Sequence, residues 1–76
     1  MDAEQIRTEI EQALPGSRVQ VRDTTGGGDH FEAVVVAAQF TGKSVVEQHR
    51  MIYAILGPAM AGPIHALALR TSAPNQ

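Results

Sequence analysis

The chain is 76 residues long and 43% hydrophobic, with 6 Lys and Arg against 8 Asp and Glu for a formal charge of −2. That length makes one domain, residues 1–76, and leaves no room for a second. A chain this short buries only about 60–65% of the surface its unfolded form exposes, so its core is thin. It has no cysteine, which excludes disulfides and thiol catalysis, and a thiolate metal site would have to borrow sulfur from a partner. The acidic balance argues against a general nucleic-acid-coating protein. No apolar run approaches the roughly 20 residues of a membrane span. The opening MDAEQIRTEI has no secretory pattern. A small soluble cytoplasmic domain is expected.

Residues 2–14 read as a helix capped by Asp2, with Ile6, Ile10 and Leu14 at i, i+4, i+8 forming one apolar stripe. Pro15-Gly16 ends it. Residues 17–24 alternate through Val19 and Val21 as a half-buried strand. Thr25-Gly26-Gly27-Gly28-Asp29 reads as a flexible turn, and residues 30–37 as a second strand completing a hairpin. Phe31, Ala33 and Val35 share one face of that strand. Glu32, Val34 and Val36 share the other, which becomes apolar along its length and is open to cover by a helix or a neighbouring chain.

Residues 44–56 read as a second helix, opened by the S-x-x-E capping box of Ser44 and Glu47. Its inward stripe is expected to be Val45, His49, Ile52 and Leu56, widened by Val46 and Tyr53, with Gln48, Arg50 and Met51 turned outward. Gly57-Pro58 stops it, and a short helical turn around residues 59–61 precedes Gly62-Pro63. Residues 64–71 form the last strand, with His65, Leu67 and Leu69 on one face, and residues 71–76 a flexible tail. The order α-β-β-α-α-β, with a crossover long enough to lay the last strand parallel to a hairpin strand, defines an α+β two-layer sandwich with a three-stranded mixed sheet.

Gly42-Lys43-Ser44 stands between strand and helix, the setting of a phosphate-binding loop, but the glycine required five residues earlier is Ala37. Helix capping accounts for Ser44. Gly26-Gly27-Gly28 precedes a strand rather than a helix and does not fit a dinucleotide fingerprint. No carboxylate pair or nucleophile signature points to an enzyme. The three histidines are more informative. His49 lies on the expected inward stripe and reads as a buried structural residue; His30 opens the second strand beside the glycines, and His65 opens the third. Imidazole is the commonest neutral metal ligand near pH 7. Two histidines alone make an incomplete site.

Asp29-His30-Phe31 ahead of a valine-rich strand, Phe40-Thr41-Gly42-Lys43-Ser44, Glu47-Gln48-His49-Arg50-Met51-Ile52-Tyr53 and Ile64-His65-Ala66-Leu67 follow one another over nearly the whole chain. Together they resemble the BolA family. The strongest signatures are Gln48-His49-Arg50 and Ile64-His65-Ala66-Leu67. The resemblance implies a fold similar to the type II K-homology domain and a non-enzymatic role beside a monothiol glutaredoxin, in iron–sulfur cluster assembly, trafficking, or iron and redox sensing. In that family the two proteins share a bridged [2Fe–2S] cluster, for which the glutaredoxin gives a cysteine, glutathione a second thiolate, and the BolA-like protein histidine. The resemblance puts the main ligand at His65 and a second, from the loop between the first two strands, at His30, with Asp29 as an alternative. It places this cysteine-free chain in the histidine-bearing subgroup, with no cofactor expected in the isolated chain.

The same family has been regarded as transcriptional regulators of stress and cell-shape genes, through a helix-turn-helix-like region here spanning the second helix to the third strand. Lys43, Arg50 and Arg70 would contact phosphates in that alternative. The negative net charge and the five-residue separation of Gly57 and Gly62, where a K-homology domain carries G-x-x-G, weigh against it. A homodimer formed through Val34 and Val36 is a third reading.

Overall fold

The structure, a computed structural model, describes residues 1–62, 64 and 66–75. Asp2 caps α1 (Ala3–Ala13) through a reciprocal pair, its carboxylate accepting from the Gln5 backbone N–H at 2.8 Å and its own N–H donating to Gln5 Oε1 at 2.9 Å. Both bonds satisfy donors that the helix itself leaves unpaired. Ile6, Ile10 and Leu14 are buried, as their spacing requires, while Arg7 pairs with Glu4 and Glu11 on the wet side. Gly16 makes the reversal at φ +81°, a conformation that disfavours any side chain.

β1 (Arg18–Asp23) and β2 (His30–Val36) form the expected hairpin, antiparallel, with Val21 opposite Ala33 and Asp23 opposite Phe31. A short 3₁₀ turn, Ala38–Phe40, not anticipated from the sequence, buries Phe40. Ser44 opens α2 (Val45–Leu56) with the capping box its sequence announces. A second 3₁₀ stretch, Gly57–Ala61, carries the chain toward β3 (Ala66–Ser72), which runs parallel to β2. The sheet order β1-β2-β3 puts β2 in the middle of a mixed three-stranded sheet. Both helices lie on the face of Val19, Phe31 and Val35, where Ile6, Ile10, Ile52 and Leu56 complete one core.

Four expectations are corrected. The inward stripe of α2 is Gln48, Ile52 and Leu56, with Met51 and Ile55 against the core; Val45 and Val46 are 60% and 58% exposed and Tyr53 is exposed too. The helix is apolar on both sides, so periodicity alone did not select the face. Gln48 can go inside because its Nε2 donates to the Lys43 carbonyl at 3.0 Å. The last strand begins at Ala66 rather than residue 64, since the Ile64 N–H is turned to the Ala59 carbonyl at 2.9 Å and its side chain is buried before the strand starts. The ordered chain also reaches into the supposed tail: β3 runs to Ser72, whose carbonyl accepts from Ala37 N–H, and Ala73 is buried. Finally, the glycine turn is braced from within by the Asp23 carboxylate.

Candidate metal-binding end of the sheet

Asp23 organises the loop from the last position of β1. Its Oδ1 accepts from the N–H groups of Thr25 and Gly26 at 3.2 and 2.8 Å, and its Oδ2 accepts from Gly28 at 2.9 Å. Three backbone donors thus find one carboxylate instead of a ladder partner, and a turn expected to be flexible is braced. Gly26 and Gly28 both sit at φ +77°, so the loop follows a path that side chains resist. Thr24 closes its mouth, with backbone N–H and hydroxyl both donating to the His30 carbonyl, at 2.9 and 3.1 Å.

That closure fixes His30 at the start of β2, half-buried, with its Nδ1 2.9 Å from Asp29 Oδ1. The contact has the distance of an ion pair without the alignment of a hydrogen bond, and it sets a carboxylate beside the candidate ligand ring. Asp29, an alternative ligand in the sequence reading, stands beside His30 with its carboxylate turned to the ring. Across the parallel ladder the Cα of His30 is paired with Ala66, and the Ala66 N–H donates to the Asp29 carbonyl at 3.2 Å. The glycine loop and the start of β3 therefore meet at one end of the sheet. His65, the other expected ligand, lies outside the described residues. Among the described residues, no three His, Cys, Asp or Glu side chains come together as an ion site.

His49 is half-buried on the flank of α2 rather than inside the core. The three basic residues of the nucleic-acid reading do not form one footprint. Lys43 precedes α2 and Arg50 is exposed on it, in the helical layer. Arg70 is paired with Val34 and stands on the opposite, open face of the sheet, because alternation along β3 sends Leu67 and Leu69 toward the core and Arg70 away from it. Two residues that the sequence reading passed over, Arg18 and Arg22, share that open face; the alternation of β1 held the signal. No helix among the described residues is long and apolar enough to cross a membrane.

This fold, with a histidine at the head of its central strand, is the BolA-type α+β domain. The chain belongs to the BolA family: the family model described as BolA-like protein matches residues 4–76. It is 40% identical to BolA-like protein 1 of Pongo abelii over 93% of this chain and 57% of the relative, and 40% identical to protein BOLA2 of Arabidopsis thaliana over 88% and 72%. It is 44% identical to the DNA-binding transcriptional regulator BolA of Escherichia coli over 60% of this chain and 44% of that protein. The chain thus spans less than two thirds of the BolA-like protein 1 sequences it matches. Among solved structures, the BolA domain of SufE1 from Arabidopsis thaliana superposes with a TM-score of 0.88 at 30% identity, covering 96% of this chain and 92% of that one. A BolA homologue from Coxiella burnetii gives 0.82 at 38%, covering 99% and 94%, and yeast Fra2 gives 0.79 at 27%, covering 99% and 82%.

Proposed function

We propose that this chain is a non-enzymatic partner of a monothiol glutaredoxin, with which it shares a bridged [2Fe–2S] cluster in iron–sulfur cluster delivery or iron and redox sensing. The observation that carries the reading is the pairing of His30 with Ala66, the residue that follows His65 in the chain. The reading takes His65, the next residue in sequence to that pair, as the second ligand. The donor chemistry fits a shared group. Each iron of such a cluster takes two ligands from its surroundings; His30 and His65 would serve one iron, and a cysteine-free chain leaves thiolates for the other to glutaredoxin and glutathione. When bound, the cluster supplies one-electron redox chemistry and a transferable iron–sulfur unit. Imidazole ligation raises its potential relative to an all-thiolate cluster. The chain's own part would be to hold His30: Asp29 stands beside its ring, and Asp23 and Thr24 brace the loop that leads into it.

Anaerobic reconstitution with a monothiol glutaredoxin, glutathione, iron and sulfide, followed by visible circular dichroism, tests this. The mixture is expected to give a spectrum distinct from that of the glutaredoxin alone, lost in His65→Ala and altered in His30→Ala. An unchanged spectrum, or one that survives His65→Ala, overturns the assignment.

The alternative role of a DNA-binding regulator draws on the name of the Escherichia coli relative. The separation of Arg70 from Lys43 and Arg50 leaves that reading two of its three candidate residues in the helical layer. Titration of a promoter duplex at two salt concentrations distinguishes it by the steepness of the salt dependence.

A further inference from the structure

The open face of the sheet carries a charge pattern opposite to that of the chain. Arg18 and Arg22 on β1 and Arg70 on β3 stand there, on either side of Val34 and Val36 of the central strand. Three arginines thus meet a single strand carboxylate on this face, Glu32, 3.5 Å from Arg22, on a chain whose formal charge is −2. Val34 and Val36 are half-buried and take no part in the core. Two shallow depressions of about 150 and 290 Å³ open beside them, one reaching Arg22 and the other Arg18.

We propose that this face docks an acidic amphipathic helix of a partner protein, its apolar ridge laid along Val34 and Val36 and its flanking carboxylates reaching Arg18, Arg22 and Arg70. The dimensions suit one helix. Edge strands on either side of a central strand lie about 10 Å apart, the diameter of a helix with its side chains is about 10–12 Å, and an i, i+4, i+7 ridge covers such a stripe. Added there, the helix turns a two-layer domain into a three-layer one and covers apolar surface that the chain's own helices leave open.

Two other occupants fit less well. Single-stranded nucleic acid needs aromatic platforms for its bases, but Phe31 and Phe40 are buried and Tyr53, the remaining aromatic residue, is on α2. A second copy laid face to face would set arginine against arginine. The outward side of α1 offers Glu4 and Glu9 but no apolar ridge to accompany them.

The test is a ¹⁵N–¹H titration of the full chain with three probes: a synthetic helical peptide carrying leucine at i, i+4, i+7 between glutamates, its lysine-flanked counterpart, and an oligothymidylate. The glutamate peptide is expected to shift the amides of Gln20, Val34, Val36 and Ala68. Arg18→Glu with Arg70→Glu is expected to weaken it about tenfold, whereas Arg50→Glu on α2 leaves it unchanged. Both substituted arginines are exposed, and the dispersion of the same spectra verifies that the variant is folded. Equal binding of the lysine peptide, shifts confined to the helices, perturbation of this face by the oligothymidylate instead, or self-association through it would each overturn the proposal. No cluster is needed, so failure here is independent of the glutaredoxin reading.

Discussion

The backbone N–H of Ala66 donates to the carbonyl of Asp29 at 3.2 Å, so the last residue of the hairpin loop is hydrogen-bonded to the first residue of β3. Through it, whatever holds the loop also holds the place where β3 begins. The holder is Asp23, one strand away, which accepts three N–H groups from the glycine-rich segment. A loop so tied can present His30 at a fixed position without an apolar core of its own.

Replacing Asp23 with alanine therefore removes one side chain and leaves three backbone donors to water. Most of them are exposed, so solvation recovers much of the lost bonding, and a global cost of about 1 kcal/mol is expected. For a domain of this size that lowers Tm by about 4–8 °C. The local effect is larger. Hydrogen exchange at Gly26 and Gly28 should accelerate more than at Val35 in the core, and the His30 resonances should broaden. Uniform acceleration throughout the chain would show that the carboxylate acts on global stability and not on the loop.

Much of this was legible in the residues. The hairpin, both capping residues and the parallel crossover follow from short-range rules, because alternation, S-x-x-E and an Asp before a helix act through neighbours in sequence. The meeting of His30 with the start of β3 follows from them, given a central β2. The inward side of α2 followed only for Ile52 and Leu56. Val45 and Val46 are as apolar as Met51 and Ile55, and the contact that accompanies the inward turn of Gln48, to the Lys43 carbonyl, exists only once the turn before the helix is built. The start of β3 was misread for a related reason: Ile64 extends the apolar pattern although its N–H belongs to Ala59. The grouping of Arg70 with Lys43 and Arg50 failed because nearness in the chain order does not decide which layer a strand residue faces.

The capping box of α2 gives the protein a specific response to acid. The Ser44 backbone N–H donates to Glu47 Oε1 at 2.9 Å, and this bond, then the Ser44 hydroxyl and the charges of Lys43 and Arg50, hold the Glu47 carboxyl below its usual 4.5. A carboxyl depressed in the folded state stabilises fully above the unfolded value and loses that contribution as pH falls from about 4.5 through the folded value. Glutamine at this position keeps the oxygen acceptor and removes the titration. Urea midpoints of the native chain and Glu47→Gln should therefore differ most above pH 4.5 and converge below it; parallel curves across that window would show that the charge contributes nothing.

The orientation of α2 can be read from three substitutions. Ile52 is fully buried, and Ile52→Ala should cost about 2–5 kcal/mol, a large share of the roughly 5–15 kcal/mol that holds a small domain together. Val45→Ser, on the side that the apolar pattern favours but the structure exposes, should change stability by less than about 0.5 kcal/mol. Gln48 is the polar residue on the inward side. Its Oε1 has no hydrogen-bond partner among the described residues while its Nε2 holds the Lys43 carbonyl. Methionine of similar length removes the stranded oxygen and gives up one hydrogen bond, that to the Lys43 carbonyl. Gln48→Met should thus be neutral or stabilising by up to about 1 kcal/mol, visible as an unchanged or raised Tm. A Tm lowered by Val45→Ser as much as by Ile52→Ala would turn the helix back to the face its periodicity first suggests, on which both residues point inward.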